Sequence, residues 1–145
     1  MHVIHHSRRL GFAVLGAILA LALVSTAWAA SGSNPKADIE AGNGYCGADV
    51  PSLPVVGFVN YHRTGDTVSI EYHLKDARPN EAYTVELWGN GCTYFGTLGT
   101  VTTNGNGVAN FNGSIDVPHT STRFFATAWN NSVGWNDTPA VTLQP

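Results

Sequence analysis

From position 50 onward, short runs of β-branched and aromatic residues alternate with Gly, Asn, Pro and Asp clusters about every 8 to 14 residues, with no apolar repeat at helical spacing. This pattern predicts seven strands, at 55–63, 67–74, 82–88, 95–103, 108–115, 122–129 and 140–143. Between them lie turn segments: Gly65-Asp66, then 76–81 with Pro79-Asn80, 89–93, 104–107, 118–121 and 130–139. Gly and Asn recur there because tight hairpin turns need positive φ angles.

The two-residue Gly65-Asp66 turn fixes the register of the first hairpin, and so fixes which side chains share a face. It sets Tyr61 opposite Ile70 and Val59 opposite Tyr72. One face then carries Val55, Val59, Tyr61, Val68, Ile70, Tyr72 and Leu74, while Asn60, His62, Ser69, Glu71 and His73 take the other. In the third strand Tyr83, Val85 and Leu87 alternate with Thr84 and Glu86, and in the fifth Ala109, Phe111 and Ile115 alternate with Asn110, Asn112 and Ser114. A single half-buried sheet cannot hide seven apolar faces from water. The expected fold is therefore all-β, a two-sheet antiparallel sandwich over residues 50–145.

The start of the chain follows a different rule. Arg8 and Arg9 precede an uncharged apolar run from Leu10 to Val24, and Ala27-Trp28-Ala29 forms a small-x-small end. These are the parts of a secretory signal peptide, assigned to 1–29 and expected to be helical, with cleavage after Ala29. An uncleaved membrane anchor is the alternative reading of the same stretch. Ser7-Arg8-Arg9 also opens like a twin-arginine signal, although Gly11 sits where such signals carry a large apolar residue. Residues 30–49 are small, polar and aperiodic, and are read as a flexible leader that contains Cys46. Export places the chain outside the cytoplasm: secreted, or periplasmic or envelope-associated where the source has an outer membrane. In that compartment Cys46 and Cys92 are expected to pair as a disulfide.

A resemblance sharpens the fold expectation. The stretch TVSIEYHLKDARPNEAYTVELW followed by GTLGTVTTNGNGVANF sets a Pro-Asn turn before a Tyr-x-Val-x-Leu strand, then a Gly-Thr strand ending in an Asn-Gly turn. In this it resembles the immunoglobulin-like and fibronectin-type-III-like modules common in secreted bacterial proteins. The resemblance implies an immunoglobulin-like sandwich and transfers no catalytic residue. Trp88, only four residues before Cys92, departs from the spacing of antibody-type domains.

Composition narrows the function classes. Charged residues make up 12% of the 145-residue chain, against roughly 25% in ordinary soluble proteins, so charge-driven disorder is excluded. Without the signal the balance is five basic residues, Lys36, Arg63, Lys75, Arg78 and Arg123, against ten carboxylates, a net of −5. Nucleic acid is not an expected partner, because phosphate neutralisation needs clustered Lys and Arg. A membrane partner is expected only through the signal segment if uncleaved. No Gly-rich phosphate loop or Cys/His framework is present, so no cofactor and no metal are expected. His62, His73 and His119 are spaced as solvated surface residues rather than as ligands of one ion. Asp116, His119 and Ser121 fall in one loop around Pro118 and read as turn formers. Glu71 and Glu86, the available glycosidase-type carboxylate pair, are expected on wet outward faces. No catalytic residue is assigned.

The aromatic residues remain. Trp88, Tyr94 and Phe95 flank the Gly89-Asn90-Gly91-Cys92 turn, and Trp129 and Trp135 flank the Asn-rich last loop. Aromatic side chains beside polar loops stack on sugar rings or anchor a protein partner. Because strands run up and down alternately, the two groups are expected at opposite ends, as two separate patches. The reading that follows is a secreted, non-catalytic binding module for an extracellular polysaccharide or protein. The alternatives are a secreted inhibitor or effector acting through the 89–95 loop, and a carrier that holds a small apolar ligand between the sheets.

Overall fold

The computed structural model of the protein describes residues 34–145; the signal segment assigned to 1–29 lies outside the described residues. Nine strands follow one another: β1 Lys36–Ala41, β2 Val55–Thr64, β3 Thr67–Leu74, β4 Ala82–Gly89, β5 Thr93–Thr102, β6 Ala109–Asp116, β7 Arg123–Asn130, β8 Gly134–Asp137 and β9 Val141–Thr142. The seven expected strands are all present, and β1 and β8 are additional. Among the described residues the one helical turn is a 3-10 turn at Asn90–Cys92, and no helix is long and apolar enough to cross a membrane.

The two added strands change the architecture. Every pairing is antiparallel, and the strands hydrogen-bond in one continuous order, β5-β4-β7-β8-β1-β2-β3-β6, with β9 against β7. The expected pair of separate sheets is thus corrected to a single sheet that folds over on itself. The seam is β8 against β1, where Glu40 lies opposite Asp137 and Ala41 opposite Asn136. At the other side the terminal strands β5 and β6 pack through side chains without pairing. A Cβ on Gly96 would stand 2.5 Å from Ile115 Cδ1, and one on Gly99 would stand 2.8 Å from the Phe111 ring. The result is a nearly closed, barrel-like sheet. Part of the segment read as a flexible leader is likewise corrected, since residues 36–41 are a strand inside this sheet.

The register of the first hairpin is the expected one, with Tyr61 opposite Ile70 and Val59 opposite Tyr72. Val55 departs from its expected inward position. A bulge where Ile39 and Glu40 meet Gly57 and Val55 shifts the alternation, so that Val56 is buried and Val55 is exposed. Tyr61, Tyr72, Tyr83, Phe124, Ile39, Leu74 and Leu87 fill the space between the folded-over halves. Two phenols stitch the halves together. The Tyr61 hydroxyl lies 2.6 Å from Thr138 Oγ1 and accepts from Ala126 N at 2.8 Å, and the Tyr72 hydroxyl donates to Asn136 O at 3.0 Å. Burial holds both phenols protonated, well above the usual tyrosine range.

Candidate functional site: an aromatic cleft over buried carboxylates

Strand β7, RFFATAWN, lacks the polar alternation of a strand with one wet face, and five successive residues in it are buried. Its inner side gives Phe124, Ala126 and Ala128 to the core. The outer side carries Phe125, Thr127 and Trp129, and neighbouring strands extend that side in register. Trp88 lies opposite both Phe125 and Tyr94, and Trp129 lies opposite Trp135.

These rings form one group. Trp88 meets Tyr94 edge-on at 4.9 Å between centroids, stacks beside Phe125 at 6.3 Å, and meets Trp135 at 6.4 Å with the planes 81° apart. Trp135 also packs on Trp129 at 5.5 Å. Phe125 is buried beneath the group, whereas Trp135 and Tyr94 remain 42% and 49% exposed. The expectation of two separate aromatic patches is therefore corrected. The chain leaves β7 by a short turn, held by Asn130 Oδ1 accepting from Ser132 N at 2.9 Å and Val133 N at 2.6 Å, and returns as β8. That return places Trp135 on the same face as Trp88 instead of in a loop at the far end.

A polar row runs through the same face. Thr97, Glu86, Thr127, Asp137 and Glu40 stand opposite one another in turn across β5, β4, β7, β8 and β1. Glu86, Thr127, Asp137 and Glu40 are all buried, so the wet position expected for Glu86 is corrected: Glu86 does point out of the sheet, but it is covered. Its carboxylate accepts from Trp88 Nε1 at 3.0 Å and from Thr97 Oγ1 at 3.5 Å, and Thr97 in turn lies 2.8 Å from the Tyr94 hydroxyl. Glu86 thereby fixes two of the rings. Glu40 accepts from Val50 N at 3.0 Å and from Asn43 Nδ2 at 2.6 Å.

Asp137 is treated differently. Its Oδ1 is buried with no partner, as are Thr127 Oγ1 and Trp129 Nε1. Three of the four unpartnered buried side-chain polar atoms among the described residues thus lie on this one face; Tyr83 Oη is the fourth. Such atoms are uncommon, since each costs roughly 1–3 kcal/mol. Burial pushes the Asp137 carboxyl up to about 6; the nearby Thr127 hydroxyl opposes the shift, and the charges of Glu40 and Glu86 add to it.

The loop after β1 closes one side of the cleft. Glu40 and Asn43 shape it, Asn43 donating to Ala48 O at 2.8 Å and accepting from Tyr45 N at 3.0 Å. Cys46 and Cys92 lie at disulfide bonding distance, with Cα atoms 5.2 Å apart, which ties this loop to the β4–β5 turn. Gly47, at φ +73°, lets the loop lie against Phe125, whose ring would be 2.8 Å from a Cβ at that position. Gly44, Cys46, Trp88, Cys92, Phe125, Thr127, Trp135 and Asp137 enclose a cleft of about 280 Å³.

Of the aromatic residues singled out by sequence, Trp88, Tyr94, Trp129 and Trp135 come together here. Phe95 does not join them: a bulge between Leu87 and Trp88 leaves it without a cross-strand partner, and it packs inward on Phe124 at 5.6 Å. Phe125, Glu86, Thr127 and Asp137 were missed as site residues. The available signal was the outward face of β7 and its neighbours, where Phe125, Trp129 and Trp88 fall at positions that a wet sheet gives to polar residues.

The larger concavity, about 670 Å³, lies elsewhere, on the outer face of β2, β3 and β6 among Asn60, His62, Ser69, Glu71, Asn112 and Ser114. Its polar groups largely satisfy one another. Asn60 Nδ2 donates to Glu71 at 3.0 Å, and His62 pairs with Asn34 at 2.8 Å. On the same face His73 pairs with Asn110 at 2.6 Å.

Comparison with known protein families gives no match, and none of the curated proteins searched matches the chain.

Proposed function

We propose that the protein is a secreted, non-catalytic module that binds an extracellular polysaccharide in the cleft over β4, β7 and β8. One observation carries the reading: four aromatic rings fixed on strand positions cover buried polar atoms that have no partner among the described residues. Flat rings offer stacking surface for the C–H faces of sugar rings, and the unpartnered Asp137 carboxylate and Thr127 hydroxyl that line the cleft match a ligand rich in hydroxyl groups. Rings held on strands lose little freedom when a ligand arrives, which favours binding. Glu86 is occupied in holding Trp88 and Thr97, which fits a positioning role rather than acid–base chemistry.

Export is part of the same proposal. The signal-like opening and the cysteine pair at disulfide distance support it.

The test is affinity electrophoresis of the mature chain through gels that contain cell-wall and matrix polysaccharides. At least one polysaccharide retards the protein, and Trp135→Ala, at an exposed position, weakens that retardation on the order of tenfold, equivalent to about 1.4 kcal/mol. Retardation by none of them, or equal retardation of the variant, contradicts the reading.

A further inference from the structure

We propose that the cleft selects glycans that carry free, protonated amino groups, such as de-N-acetylated amino-sugar chains, with the ammonium seated between Asp137 and the Trp88 and Trp135 rings. This rests on the polysaccharide reading above and names the sugar class.

The first ground is charge. Glu86, Asp137 and Glu40 form one row across β4, β8 and β1, with Thr127 between the first two, and all three carboxyl groups are buried. Among the described residues no Lys, Arg or His side chain forms an ion pair with any of them; the two histidine–carboxylate contacts, His73 with Glu71 and His119 with Asp66, lie elsewhere. Three buried acids without a cation leave the site short of positive charge, and buried charge is retained only where something compensates it. They are not gathered closely enough to hold a metal ion.

The second ground is the open hydrogen-bonding position. Glu40 and Glu86 already accept from protein donors. At Asp137 the Thr127 hydroxyl is the one protein donor at hand: the residue is only 3% exposed, its Oδ1 makes no hydrogen bond, and it lines the cleft. The missing partner is a donor, and Thr127 Oγ1 beside it lacks one too. An ammonium brings three donors and a positive charge, while a sugar hydroxyl brings one donor and no charge.

The third ground is the wall. Trp88 and Trp135 meet at 81°, so the cleft is a corner made of an indole face and an indole edge rather than one flat platform. An aromatic face beside a carboxylate attracts a cation, and the same face stacks on the sugar ring that bears it. An N-acetyl group would remove the charge and place a bulkier amide in a cleft of about 280 Å³. Binding strengthens as Asp137 ionises. The groups that bear on its titration are Glu40 on β1, Glu86 on β4 and Thr127 on β7; the phenols of Tyr61 on β2 and Tyr72 on β3 lie near it and stay protonated.

The experiment is calorimetric titration of the mature chain with glucosamine, N-acetylglucosamine and glucose oligomers of equal length at roughly physiological ionic strength, with oligolysine as a further arm. The glucosamine oligomer is expected to bind on the order of tenfold more tightly than either neutral oligomer. Asp137→Asn is expected to abolish that preference while leaving the fold intact. Equal binding of the three sugars overturns the charge selectivity and leaves the polysaccharide reading standing. A preference that survives Asp137→Asn overturns the assigned seat, because it then reflects the overall negative charge of the chain. Binding of oligolysine with no sugar bound overturns both this proposal and the reading it rests on.

Discussion

Asp137 illustrates how a residue with unremarkable local sequence acquires its properties from its neighbours. In Trp-Asn-Asp-Thr-Pro it reads as a turn former; in the sheet it stands between Thr127 and Glu40 under the aromatic group. Its carboxyl titrates near 6 in the folded chain, above the ordinary 3.8. The folded state therefore takes up this proton first as pH falls. The contribution of the group to stability is greatest below about 4 and is lost as pH rises through 6. Over that window the loss amounts to about 2–3 kcal/mol. Asp137→Asn is expected to raise the unfolding free energy from urea titration at pH 8 by that order and to change it little at pH 4. Equal free energies for the two proteins at pH 8 contradict the burial argument. Gly47 gives a second test at this scale. Its φ is +73°, and an added methyl group would stand 2.8 Å from the Phe125 ring, so Gly47→Ala is expected to cost about 1–3 kcal/mol, measured by thermal unfolding.

At the scale of elements, what the sequence made legible follows from side-chain type. Strands β3 and β6 show clean alternation, β2 does so from Val59 onward, and the Gly65-Asp66 turn sets the β2–β3 register residue by residue. Strands β1 and β8 are hidden. KADIEA places only two alanines and an isoleucine inward, and GWND is made largely of turn formers. Both are strands because tertiary pairing outweighs weak local preference. Missing β8 displaced Trp135 to a loop and split one aromatic group into two, so an element-level omission became a site-level one. The disulfide acts on elements as well. Cys46 and Cys92 are separated by 46 positions, and linking them stabilises the fold by roughly 4 kcal/mol in the chain-entropy account. Replacing both with Ser is expected to lower the unfolding free energy by that order in urea titration, and to weaken ligand binding because the loop that forms the cleft wall is released. Unchanged binding in the double variant would show that the loop is not part of the site.

Over the whole molecule, the arrangement divides labour between the two outer faces of one folded-over sheet. On the β2–β3–β6 face, amides, hydroxyls and imidazoles satisfy one another and meet water. On the β4–β7–β8 face, rings cover carboxylates and leave polar atoms open. The seam of β8 against β1 makes this possible, because it brings Glu40 and the loop that follows it beside Asp137. The claim that the second face is the functional one is tested most directly by two-dimensional NMR, following the indole and backbone N–H signals while a retained glycan is added. Trp88, Trp129, Trp135 and Asp137 are expected to shift together and saturate with one affinity, while Asn60, Ser69 and Asn112 stay in place. Shifts confined to Asn60, Ser69 and Asn112, with the three indoles unmoved, would contradict it.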